Sequence, residues 1–255
     1  MLTFGSLFAG IGGFDLGLER AGMICKWQVE IDPFCRKVLT KYWPDVPKYG
    51  DIRELRGDEL EPVDLICGGF PCQDISEANT NGKGLQGSRS GLWFEYERLI
   101  REIRPSWAVV ENVSRLLSIN DGRDFGTILR NLAELGYDAQ WSLLSSCAVG
   151  APHSRERMFL VAHTNSQRLQ TSGEKRIRDD EETSSGWAST KHIYSSTLSI
   201  GSSRRQIRTA EPGIPRVDDG VPDRIHRNRA VGNAVDPDVA ELIGRMILEV
   251  ESNGI

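Results

Sequence analysis

A few side chains in this sequence have the type and the setting for chemistry. Cys72 follows Gly68-Gly69-Phe70-Pro71. Two glycines permit a sharp turn and close backbone approach to a ligand, and Pro71 fixes the chain just before the thiol. Free cysteines are usually buried and inert, and Cys67, at the end of the apolar run Val63 to Cys67, reads as one of those. Cys72 stands among turn-forming and polar residues instead, so it is the candidate nucleophile. Glu111 comes directly after the apolar stretch Trp107-Ala108-Val109-Val110. A carboxyl delivered there is costly unless it has a partner or a task. Glu30 and Asp51 end two further apolar stretches, where open α/β sheets hold ribose hydroxyls. Arg155 and Arg157 belong to a charged turn, Ala151 to Arg157.

The elements that must position these groups read as alternating strands and helices. Leu2 to Phe8 is a strand, Ala9-Gly10-Ile11-Gly12-Gly13 a glycine turn, and Leu16 to Ala21 a helix with Gly22 at its C-cap. That unit opens a nucleotide-binding α/β fold, although the glycine spacing is not the full dinucleotide fingerprint. Cys25 to Val29 is the second strand. Pro33 starts a helix through Trp43, and Tyr49 to Ile52 ends a third strand. Asn79 to Gly91, rich in glycine, reads as a lid beside the candidate nucleophile. Leu92 to Ile103 is a helix closed by Pro105. Phe125 to Leu135 is another, stopped by Gly136. Tyr137 to Ser146 alternates as a strand, with Cys147 at its end as a core residue, and Met158 to Ala162 is the last strand. Pro237 opens a final amphipathic helix, Asp238 to Val250.

Composition narrows the classes. The chain has 255 residues and 5 cysteines without CxxC pairs, which argues against a zinc site and a disulfide framework. With no targeting segment and no apolar run of membrane-spanning length, the expected setting is the cytoplasm. The net charge is −5, unevenly spread. Thr164 to Ala230 holds 12 Lys and Arg against 9 Asp and Glu, while the rest holds 19 against 27. A mildly basic segment on an acidic body suits a polyanion met on one face, and so does a solvated loop of mixed charge.

Together these stretches resemble the cytosine-C5 DNA methyltransferase family. Phe8-Ala9-Gly10-Ile11-Gly12-Gly13 is similar to the family's cofactor-binding opening, and Gly69-Phe70-Pro71-Cys72-Gln73 to its nucleophile motif. Glu111-Asn112-Val113, Arg155-Glu156-Arg157 and Gly232-Asn233-Ala234-Val235 resemble the three motifs that follow, in the family's order. With its short variable segment, the layout is most similar to phage or prophage members. Pro215 to Arg224 fits only loosely the arginine-rich stretch that the family carries before the closing motif.

The resemblance implies a Rossmann-like S-adenosylmethionine-dependent methyltransferase fold with a small, mostly irregular target-recognition region. It implies a catalytic domain over residues 1–163, recognition over 164–227, and a returning segment over 228–255. The cysteine would add at C6 of a flipped-out cytosine and make C5 nucleophilic. Glu111 would donate to N3, Arg155 would hold O2, and Arg157 would support it. The cofactor positions would be Phe8, Ala9, Gly10, Ile11, Gly12, Glu30, Ile31, Asp51, Ile52, Pro71, Leu92, Asn233, Ala234 and Val235. Gln73, Ser76, Arg89, Arg204 and Arg205 would contact DNA, Arg89 at a phosphate. The expected assembly is a monomer on double-stranded DNA without metal or membrane. The same motifs also suit a tRNA cytosine-5 methyltransferase. Readings from other classes are a dinucleotide-dependent oxidoreductase, which leaves Cys72, Glu111 and Arg155 without linked roles, and a silent DNA-binding relative.

Overall fold

The structure is a computed structural model that describes residues 1–71, 91–164 and 224–253. Strands β1 (Thr3–Leu7), β2 (Ile24–Val29), β3 (Lys48–Tyr49), β4 (Leu65–Gly68), β5 (Trp107–Asn112), β6 (Tyr137–Ser145) and β7 (Glu156–Thr164) form one seven-stranded sheet. Its order is β3-β2-β1-β4-β5-β7-β6. The first five strands are parallel, while β7 runs antiparallel between β5 and β6. Strand order therefore reverses between β1 and β4. Ligands of open α/β sheets bind beyond the carboxyl ends of the strands at such a switch point. The residues at those two ends are Phe8–Gly12 and Gly69–Pro71.

Six helices cover the sheet: α1 (Gly13–Ala21), α2 (Pro33–Tyr42), α3 (Leu92–Ile103), α4 (Arg123–Glu134), α5 (Arg224–Asn233) and α6 (Pro237–Asn253), counted among the described residues. Successive side chains of a strand point to opposite faces, and the core follows that period. Ile66, Ala108 and Val110 join a cluster with Trp93, Tyr96 and Ile128 from α3 and α4. Leu65, Cys67, Trp107 and Val109 join the other, with Phe14, Leu18, Val239 and Ile243 from α1 and α6. Both faces are thus covered, as a mainly parallel sheet requires.

The helix ends expected from sequence hold within a few residues. Gly22 caps α1 with φ 105°, and Pro33 opens α2 behind Asp32, whose carboxylate accepts from the amide of Phe34 at 2.8 Å. Two expectations need correction. Cys147 is exposed rather than in the core. After Ser145 the chain curls into a 3-10 turn, Ser146–Val149, that turns the thiol outward to the carbonyl of His153 at 3.2 Å. The next described residues after Thr164 begin at Arg224, where α5 starts. The last strand runs from Glu156 to Thr164, longer than the apolar run suggested, because β6 pairs with it to Ser145↔Glu156. The expected lid, Asn79 to Gly91, lies outside the described residues apart from Gly91.

Candidate active site

Glu111 is the next-to-last residue of β5, at the carboxyl end of the parallel strands. It is 8% exposed. Arg157, on β7, places its Nε 3.2 Å from Oε1 of Glu111. Burial is the larger influence and lifts the Glu111 carboxyl from 4.5 to about 7, against the opposing pull of Arg157 and Arg155. A carboxyl raised to neutrality can hold a proton for transfer at physiological pH. Next to it, Nδ2 of Asn112 donates to the carbonyl of Phe70 at 3.3 Å, and its Oδ1 accepts from the amide of Val113 at 2.9 Å. One side chain therefore fixes the loop after β4 to the end of β5.

That loop sits tightly against Glu111. A Cβ on Gly69 would lie 2.5 Å from Oε2 of Glu111, so any larger residue would have to push the Glu111 carboxyl aside. Phe70 is buried against Trp93, ring centroids 5.9 Å apart, and Trp93 stacks on Tyr96 at 5.8 Å. Tyr96 in turn stacks on Phe8 at 6.5 Å. Its hydroxyl hydrogen is shared between the carbonyls of Ile66 and Val109, 3.2 and 3.0 Å away. This row of rings supports the loops beyond β1 and β4 from below. Phe8 itself has φ 52°, a left-handed backbone rare for an aromatic residue and found at functional turns.

The glycine turn is bound to the second strand. Glu30 accepts from the amide of Gly10 at 2.7 Å and from that of Asp32 at 2.8 Å. Burial raises its carboxyl, while these two amides oppose the rise. Asp51 caps the turn Ile52–Glu54 and pairs with Arg53, whose hydrogen bonds hold its carboxyl below the usual range. Ile52 is buried and Ile31 is 60% exposed beside Glu30. Two acids thus stand at adjacent strand ends, with the exposed side chain of Ile31 following the first.

The returning segment closes the opposite side. Val235 lies against Gly13, where any Cβ would overlap the Val235 carbonyl oxygen. Nη1 of Arg155 donates to the carbonyl of Gly232 at 2.5 Å. A cleft of about 600 Å³ opens here, walled by Ile11, Gly12, Ala234, Val235 and Arg155 among others. Phe8, Glu30, Asp51, Pro71 and Leu92 are not part of that wall.

The structure thus brings Glu111, Arg157, Gly69 and Pro71 to one end of the sheet, with Glu30 and Asp51 along the same edge. It separates the two arginines: Arg157 engages Glu111, and Arg155 engages the 232–235 turn. Cys72, Gln73, Ser76, Arg89, Arg204 and Arg205 lie outside the described residues. Asp15 escaped the sequence reading. It is fully buried, accepting from Gln28 Nε2 at 2.8 Å, from Ser6 Oγ at 3.1 Å and from the Cys25 thiol at 3.5 Å. Burial raises its carboxyl. The available signal was its place on α1 between Phe14 and Leu18, on the face that turns inward.

Among the described residues no group of three or more His, Cys, Asp or Glu could hold a metal ion, and no helix is long and apolar enough to cross a membrane. Comparison with known proteins gives a consistent result. The curated relatives include the type II methyltransferase M2.BsuMI of Bacillus subtilis, 40% identical over 62% of this chain and 41% of that protein. They also include the type II methyltransferase M.HhaI of Haemophilus parahaemolyticus, 32% identical over 66% of this chain and 51% of that protein. The chain spans about half the length of these curated relatives. A crystal structure of a protein assigned as a DNA modification methyltransferase encoded within an E. coli prophage matches with a TM-score of 0.70. It is 20% identical, covering 99% of this chain and 100% of that one, a likeness of fold alone. The fold is accordingly the Rossmann-like one of S-adenosylmethionine-dependent methyltransferases. The model of C-5 cytosine-specific DNA methylases matches residues 2–206, and the chain belongs to that family.

Proposed function

We propose that this chain is a DNA (cytosine-5)-methyltransferase that uses S-adenosylmethionine and attacks a flipped-out cytosine through Cys72. The observation that carries the reading is Glu111. It is a buried carboxyl raised to about 7, at a strand end, against the loop that leads within two residues to Cys72. Burial also raises the structural carboxyl of Asp15, but Glu111 differs in standing at the carboxyl end of β5 against the loop that leads to Cys72, where a proton donor to a ring nitrogen is needed.

The residues fit the cofactor. The left-handed turn at Phe8 and Gly12 (φ 89°), Glu30 at the end of β2 and Asp51 after β3 offer backbone donors and two acceptors for ribose and base. Phe8, Gly10, Glu30, Ile31, Asp51, Ile52, Pro71 and Leu92 would hold it, with Asn233, Ala234 and Val235 opposite. S-adenosylmethionine supplies an electrophilic methyl group. Cys72 adds its thiolate to C6 of the base and gives C5 the electron density of an enamine. Glu111, whose proton burial retains towards neutral pH, donates to N3 as that density builds. Arg157 orients Glu111 and neutralises it once the proton has gone. Once C5 carries the methyl group, a solvent base would take the C5 proton, the N3 proton would return to Glu111, and the Cys72–C6 bond would break to restore the ring. C6 is unreachable within a duplex, so the base must leave the stack.

Residues 1–163 would form the catalytic body, with recognition in 164–227 and return through 228–255. The active species would be a monomer acting on double-stranded DNA in the cytoplasm. The test uses duplexes carrying 5-fluorocytosine, whose C5–F bond blocks release of the enzyme. With S-adenosylmethionine present, the wild type should form a covalent adduct stable to denaturant, and Cys72→Ser should form none while still binding the cofactor. Adduct formation by Cys72→Ser would refute the covalent mechanism. Methyl transfer to tRNA with none to DNA would move the assignment to the RNA-modifying reading.

A further inference from the structure

Arg155 and Arg157 are two residues apart, yet they serve different partners. Arg157 pairs with Glu111 through Nε and donates from Nη1 to the carbonyl of Glu156 at 2.7 Å. Arg155 reaches the other way, donating from Nη1 to the carbonyl of Gly232 at 2.5 Å. Its charge is felt by Glu111 on one side and by Asp236 on the other. Asp236 opens α6, accepting from the amide of Asp238 at 3.0 Å. Between Gly232 and Asp236 lies Val235, whose carbonyl fills the space above Gly13 at the start of α1. The Nε of Arg155 is buried and has no hydrogen-bond partner among the described residues. A guanidinium has five donors in a rigid fork, so it can hold a carbonyl with one arm and leave another for an incoming acceptor.

We propose that Arg155 is a positioning residue that fastens the 232–235 turn to the Glu111 end of the sheet, so that order on the cofactor side depends on the base side. This rests on the methyltransferase reading above and extends it. The turn is backed by Arg155 and by the close contact at Gly13, and it contributes a wall facing the glycine turn. An acceptor that engaged Nε would stiffen the same side chain that holds the turn. The two sides of the cleft are then linked through one guanidinium, and any such coupling acts equally in both directions.

The test compares wild type, Arg155→Ala, Arg155→Lys and Arg157→Ala by two measurements. The first is amide hydrogen exchange at residues 233–236 in the unliganded protein. The second is titration with S-adenosylmethionine without DNA. A charge-assisted hydrogen bond is typically worth about ten- to a hundredfold in an equilibrium. Arg155→Ala should therefore exchange about tenfold or more faster in the turn and bind the cofactor about tenfold or more weakly. Arg155→Lys, with a charge but no fork, should fall between, and Arg157→Ala should stay within about twofold of wild type on both measurements. Should Arg155→Ala not fold, Arg155→Lys decides, since faster exchange confined to the turn cannot come from global unfolding. Turn exchange and cofactor affinity unchanged in the folded Arg155 variant would overturn the proposal, as would equal effects from Arg157→Ala. A wild type that binds no S-adenosylmethionine would sink the methyltransferase reading, while the exchange comparison would still decide the link.

Discussion

Replacing Glu111 by glutamine should make the protein more stable in base and leave it unchanged in acid. The unfolded-state pKa of the carboxyl is near the ordinary 4.5, and burial raises the folded value to about 7. That difference corresponds to about 3 kcal/mol that ionisation takes from the native state. It is a net figure, because the attraction of Arg157 and Arg155 already acts against it. The sign follows from proton linkage. Below pH 4.5 both states carry the proton and Glu111 costs nothing. As pH rises through the window from 4.5 to about 7, the unfolded chain ionises freely while the folded one resists, and stability falls. Glutamine keeps the shape of the neutral acid and does not titrate. Urea unfolding of both proteins at pH 4 and pH 8.5 should show nearly equal midpoints at the lower pH. At the higher one Glu111→Gln should be more stable by about 3 kcal/mol, or about 6–12 °C in melting temperature for a chain of this size. The same variant should lose methyl transfer by about 10²–10⁴-fold, so that stability and activity move in opposite directions. A wild type–variant difference that is the same at both pH values would refute the buried-acid argument. A loss of activity below roughly tenfold would reduce Glu111 to a base-orienting role.

Further outcomes are expected at the turns and in the variable segment. Gly13→Ala should displace Val235 and weaken S-adenosylmethionine binding by more than about tenfold, read by calorimetry, because the new methyl overlaps backbone that cannot rotate away. Replacing residues 168–222 by a linker should preserve cofactor binding and abolish site-selective DNA binding. Bisulfite sequencing of DNA from expressing cells would show any selectivity that survives. Neutralising Arg204 and Arg205 together should weaken binding to all sequences and flatten its salt dependence by about one unit per lost phosphate contact, measured by titration across salt concentrations.

Much of the catalytic scaffold was legible because its signals are local. Gly22 ends α1 and Pro33 begins α2, and both can be read without knowing the fold. The run Trp107 to Val110 announced a buried strand, and the carboxyl after it announced a cost that the structure bears out. What stayed hidden depends on pairing between distant strands. The role of Asp15 went unread because its partners, Ser6 and Gln28, come together only when β1 pairs with β2 at Ser6↔Gln28. The insertion of β7 between β5 and β6 has no local mark. Nor has the division of labour between Arg155 and Arg157, since a spacing of two says nothing about where long side chains end. Helix α5 is rich in Arg and Asn with little apolar period, so its sequence carried no helical signature.

The antiparallel course of β7 has a consequence for how such chains can diversify. The strand starts beside Asn112 and ends at Thr164 beside Tyr137, at the far end of the sheet from Glu111. The chain is next described in α5, where His226 stacks on Phe34 at 5.9 Å and Gly232 meets Arg155, back at the Glu111 end. Exit and re-entry are thus separated by the length of the strand, roughly 30 Å at 3.3 Å per residue. An extended chain needs only about ten residues to cross that gap. Beyond this minimum, each doubling of length adds only about 0.6 kcal/mol to the cost of closing the loop. The sheet therefore behaves as a socket with two fixed terminals, into which lineages can plug stretches of very different length and composition without rewiring the machinery between them.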